Sequence, residues 1–307
     1  MRNDNTAETG PVSLLPLDSQ FPQDGSKHSH RHYARPLKIR RVPMQHGWYW
    51  LIEGFMLWTR SPAFLSFLAF SCIFGIVVAQ AAPKVGELLG SILYPGLMLG
   101  VFNGCRAIDR KRTLSPGLLF SGFRRHAFDL LLAGFCNFIA LTLMLLATWP
   151  IDGGMMWRVV IHGELPNMES TLFRYSLIVT MVLSMMWAAV YLFVPQLIGW
   201  WRLSVPKALF FSLKGCLINW LPFFTYAFCF SFFVIVLSAL VINFFELTYE
   251  GLGVVVCAVF LLITSPALIA SFYVAARDIF GFPRRRKHKK RTSEPALDER
   301  KKRRAKA

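Results

Sequence analysis

The chain has 307 residues, 54% of them hydrophobic, and a mean hydropathy of +0.44. So much apolar mass, in long runs almost free of charge, excludes a soluble globular domain and marks membrane-spanning helices. The net charge of +17 belongs to tails and loops rather than to a core, since 13 of the 34 Lys and Arg lie in residues 284–306.

Residues 1–43 are polar and Pro-rich and read as a disordered tail. Within it HSHRH (28–32) spaces three His alternately; a solvated tail is favoured there over a weak metal site. No cleavable signal peptide is visible, so the first span is expected to act as an uncleaved signal. WYWLIEGFMLWTRSP (48–62) then leads into the first span, 62–82, and the second follows at 85–105. SPGLLFSGFRRHAFDLL (115–131) leads into the third, 127–149. The loop after it contains MMWRVVIH, expected to form a short helix on the outer surface. The fourth span is 175–200, with Pro195 and Gln196 placed to kink it. VPKALFFSLKGCLINWL (205–221) leads into the fifth, 217–244, where Pro222 is a second kink point, and the sixth is 252–277. Each span has the roughly 20 apolar residues that a bilayer requires. A polybasic tail, 282–307, closes the chain.

Lys and Arg are retained on the cytoplasmic side of a membrane. All of them except Lys84, Arg158 and Arg174 fall on one side of this arrangement. Both termini are therefore expected in the cytoplasm.

The chain also repeats. PGLMLGVFNGCR (95–106) overlays PALIASFYVAAR (266–277), so that Pro95 meets Pro266 and Arg106 meets Arg277. The segments 115–131 and 205–221 overlay in the same way. The fold class expected is an all-α integral membrane protein of six transmembrane helices. It is read as three parallel repeats, about 44–110, 113–202 and 203–281, each an interfacial helix plus two spans.

Small residues at every fourth position let helix backbones approach closely. Gly96, Gly100 and Gly104, and their counterparts Ala267, Ser271 and Ala275, are the candidate packing faces. Arg106, Arg124, Arg125 and Arg277 lie where a guanidinium reaches lipid phosphate, with Asp109 and Asp278 as local partners for Arg106 and Arg277. Asn137 is the polar group nearest a bilayer centre and is expected to bridge helices. The six cysteines form no CxxC pair and lie in or beside apolar runs, where a thiol behaves as a small hydrophobe.

GWYWLIEGFMLW (47–58), NGCRAIDR (103–110) and SPGLLFSGFRR (115–125) resemble a family of uncharacterised proteobacterial multi-pass inner-membrane proteins. The resemblance spans about 44–281. It implies a helical membrane protein without an established function and carries over no catalytic residue.

The sequence has no HExxH, GxSxG, P-loop or GxGxxG, so no enzyme, metal or cofactor is expected. The basic tail lacks interleaved aromatic residues, which favours anionic lipid head groups at the cytoplasmic face over nucleic acid. A second copy or another membrane protein is a further expected partner. The function expected is lipid- or partner-binding membrane organisation. The alternative is a passive transporter or channel for a small solute through the repeat interface.

Overall fold

The structure is a computed structural model describing residues 37–83, 85–165, 169–246 and 252–281. Most of the N-terminal tail with its His cluster, and the whole polybasic tail, lie outside the described residues.

The described residues are almost entirely helical. α1 (His46–Thr59) precedes α2 (Pro62–Gln80) and α3 (Gly86–Asp109). A 3₁₀ turn (Pro116–Phe120) runs into α4 (Ser121–Asp152), followed by α5 (Met155–His162). Then come α6 (Thr171–Tyr191), α7 (Val194–Trp201), α8 (Val205–Ile218), α9 (Trp220–Glu246) and α10 (Leu252–Phe280). Six helical stretches have the length and composition to cross a membrane, with α6 and α7 counting as one.

Local chemistry explains the breaks. α4 kinks at His126 (φ −134°, ψ 34°), which separates a short lead-in from the span. Gly153 and Gly154 both take positive φ, which glycine tolerates without a Cβ clash. The buried Asp152 carboxylate accepts the N–H groups of Gly154 and Met156, each at 2.9 Å, and so starts α5. Pro195 lies in the first turn of α7, where a missing N–H costs least. At that break the Phe193 N–H donates to Ser212 Oγ of α8 at 3.2 Å. In α10, Pro266 leaves the Leu262 carbonyl without its helical donor. The Ser265 hydroxyl donates to it at 2.7 Å, a repair that a lipid environment demands.

α2 pairs with α3, α4 with α6, and α9 with α10. α3 also lies along the 3₁₀ turn and α4, α6 and α7 lie on α8, and α10 lies on α1. The core gathers Trp50, Leu65, Leu68, Phe193, Leu197 and Tyr273. The ends of α3, α7 and α10 meet α1 and the α8–α9 turn on one face. Residues 37–43, read from sequence as tail, dock there as a strap. The Arg40 N–H donates to the Ile279 carbonyl at 2.9 Å, and the Val42 N–H to Asn219 Oδ1 at 2.8 Å. Asn219, fully buried between α8 and α9, returns its Nδ2 to the carbonyls of Arg40 (3.1 Å) and Gly215 (3.0 Å). The folded part thus reaches back to residue 37. This face is the strap face; α5 lies on the opposite one.

Candidate functional site

The strap face carries a polar network linking five helices. The Asn103 Nδ2 of α3 donates to Ser121 Oγ of α4 at 2.8 Å, and the Trp200 Nε1 of α7 donates to Asn103 Oδ1 at 2.9 Å. Trp200 meets the fully buried Tyr273 ring of α10 edge-on, with 5.9 Å between centroids. Tyr273 donates its hydroxyl to Asp109 Oδ2 of α3 at 2.9 Å. Arg277 then joins three carboxylates: Glu53 of α1, Asp278 at 3.3 Å and Asp109 at 3.7 Å. Asp278 also accepts Trp50 Nε1 at 3.1 Å and lies 3.4 Å from His46 Nδ1. The arrangement clasps the last span to the first lead-in helix and to α3.

The candidate arginines divide between two settings. Both acids expected beside Arg106 and Arg277 engage Arg277, because the ends of α3 and α10 converge. The Arg106 guanidinium lies over the Trp200 ring, 5.4 Å from its centroid, a cation–π contact. Arg124 is exposed on the α4 lead-in. Arg125 lies beside it in the chain, and its side chain is outside the described set.

The small residues are all in close quarters. A Cβ on Gly96 would enter the Phe123 ring, one on Gly100 the Leu119 backbone, and one on Gly104 the Leu68 side chain. Ala267, Ser271 and Ala275 are buried in α10. Ser271 Oγ donates to the Leu268 carbonyl, and the Tyr226 hydroxyl of α9 pairs with it at 2.7 Å. The facing small residues were missed by sequence reasoning: Gly54 lies on the Ser271 backbone, Gly122 on the Gly96 carbonyl, and Gly134 on Ser91 and Ile92. Gly54 and Gly122 lie inside the WYWLIEGF and SPGLLFSGF stretches, which was the available signal. Asn137 Oδ1 accepts the Trp187 Nε1 of α6 at 2.9 Å, the helix bridge expected of it.

Among the described residues, no group of three or more His, Cys, Asp or Glu is placed to hold a metal ion. All six cysteines are free. In α8, outside the spans, burial pushes the Cys216 thiol up to about 12, so it is a packing residue rather than a nucleophile.

No protein-family model matches the chain, and no solved structure does. It is similar to a protein of Burkholderia thailandensis named "probable inner membrane protein", with 24% identity over 189 residues, 59% of this chain and 70% of that one. That similarity agrees with the resemblance carried by the sequence motifs. Together with the six apolar helices, it makes the chain a multi-pass helical membrane protein.

Proposed function

We propose that the protein is a non-catalytic organiser of the bacterial inner membrane that grips anionic lipid through its strap face. Three two-span repeats, closed into a ring, form its body, and both termini are cytoplasmic. The observation that carries the lipid reading is the outer surface of α1. Trp48, Tyr49, Ile52, Phe55 and Met56 are exposed there, next to the exposed Lys38, Arg40, Arg41 and Arg60. α8 adds exposed Phe210 and Leu217 beside Lys207 and Lys214. An apolar face flanked by cations is the chemistry of a helix lying in an anionic interface.

The ring is supported by how the pairs lean. Each pair of spans rests on the lead-in of the next: α3 on the 3₁₀ turn and α4, α7 on α8, and α10 back on α1. Gly100 and Ser271 occupy the same position in the repeat overlay. Gly100 meets the second lead-in at Leu119, and Ser271 meets the first at Gly54. In this reading Arg124, Arg125 and the C-terminal cations contact lipid phosphate, while Arg106 and Arg277 hold the clasp.

The test is native mass spectrometry of the full chain in lipid discs, with anionic and zwitterionic lipids in competition. Stoichiometric anionic lipid is expected, reduced by deleting 284–307 and by Arg124→Ala with Arg125→Ala. Absence of retained anionic lipid, or anionic lipid retained unchanged by both variants, would overturn the reading.

A further inference from the structure

Two cavities meet inside the bundle. A cleft of about 360 Å³ reaches the α2–α3 turn on the α5 face. Gln80, Glu87, Ser91, Asn137, Ser184 and Trp187 line it, and among the described residues no Lys or Arg does. A second chamber of about 280 Å³ lies between α3, the α6–α7 break and α10, walled mainly by Met98, Phe102, Pro195, Leu268 and Phe272. Tyr94, Tyr191 and Leu192 line both. The Tyr94 and Tyr191 rings stack there at 6.3 Å, and Trp187 stacks on Tyr191 at 5.7 Å.

Tyr191 is the informative residue. It is only 6% exposed, and its hydroxyl has no hydrogen-bond partner among the described residues. A buried hydroxyl without a partner is costly, and this one stands at the waist between the two cavities. One residue beyond Phe102 and Phe272, Asn103 and Tyr273 join the Trp200 network that ends the chamber toward the strap face.

We propose that the cleft and the chamber form one binding site for a small amphiphile with a cationic head. Its ammonium lies at Glu87 in the mouth, because a charge is costly deeper in the membrane. Gln80, Ser91 and Ser184 supply neutral hydrogen bonds to the head. The Tyr191 hydroxyl bonds the polar junction, and the apolar body fills the chamber between α3, α7 and α10. Glu87, the one charged side chain among the described residues that line the cleft, selects an amine over a carboxylic acid of equal chain length. The ammonium could come from a free alkylamine or from an aminophospholipid such as phosphatidylethanolamine. This site is independent of lipid contact at the strap face.

The test uses full-length protein in net-neutral phosphatidylcholine discs, with decylamine and decanoate as probes, read by Trp fluorescence and native mass spectrometry. Saturable decylamine binding is expected, with decanoate much weaker. Tyr191→Phe, which keeps the ring, should weaken a third probe, 2-aminoethyl decanoate, whose ester reaches the junction, about fivefold while leaving decylamine unchanged, and Glu87→Gln, at an exposed position, should abolish the preference for amine. Both variants should remain monodisperse. Phosphatidylethanolamine retained from mixed discs by wild type but not by Tyr191→Phe would support the site with lipid as its source. Equal decylamine binding in discs with and without phosphatidylethanolamine would support it with a free amine as its source. Equal affinity for decanoate, or unchanged binding of every probe in both variants, would overturn it. Deleting 284–307 should leave decylamine binding unchanged, which separates this outcome from the strap-face result.

Discussion

α3 and α9 are both membrane-length helices, yet they solve opposite problems. α9 is rich in Phe and buried almost nowhere; Phe224, Phe228, Phe232 and Phe233 all point outward. α3 is the least apolar of the six spans and the most enclosed. It packs on α2, α4, α7 and α10 and carries the glycines and polar groups. In water the most apolar helix goes inside. In a bilayer lipid is as apolar as any side chain, so helices associate through close packing and hydrogen bonds instead. The interior helix is therefore marked by small and polar residues, and the outermost one by bulk.

The strongest way to break that contrast is to put bulk into α3. Gly100→Leu would drive a side chain into the Leu119 backbone and is expected to cost about 3 kcal/mol or more. Loss of the folded protein from the membrane would register it. Phe228→Leu on α9, at a 63% exposed position, should change stability by no more than about 0.5 kcal/mol. Similar losses from both would refute the division between inner and outer helices.

The clasp comes next in size. Arg277→Ala leaves Glu53, Asp109 and Asp278 facing one another without their shared cation. Removing one partner of a fully buried pair costs about 3–5 kcal/mol. With the Arg277 side chain 27% exposed, about 2 kcal/mol is expected. A thermal melt in mild detergent measures it, and Arg277→Lys should recover part of the loss. Asn219→Ala removes three hydrogen bonds and should release the strap at a cost of about 1–2 kcal/mol. Trypsin cleavage at Lys38, Arg40 and Arg41 should then accelerate before any global unfolding. The smallest effect tests chemistry rather than stability. Cys216 should resist maleimide at pH 8 in the folded protein, because burial holds its thiol protonated; prompt labelling would show that α8 is not packed as described.

Spans, lead-ins and the short α5 were legible because each depends on local apolar content and run length. The α6–α7 break was legible because Pro195 announces it. Of the three partners of Arg277, one was legible. Asp278 is its chain neighbour, but Glu53 and Asp109 reach it through the convergence of α1, α3 and α10, which no local pattern encodes. The strap was hidden for a related reason. Residues 37–43 form no regular element, and the residue that holds them, Asn219, lies 177 positions from Val42. The facing glycines, Gly54, Gly122 and Gly134, were visible as letters, but their roles required knowing which helices touch.

The strap also sets an order in time. Val42 is made early, yet its partner Asn219 is synthesised 177 residues later, and Ile279, which accepts the Arg40 N–H, later still. At about 5–20 residues per second, the wait for Ile279 is on the order of 12 to 48 seconds. Until then the start of the chain has nothing to dock on, so a docked strap reports that translation has passed the last span. A truncated product would keep its N-terminal segment free, a marker by which a protease could distinguish unfinished chains from complete ones.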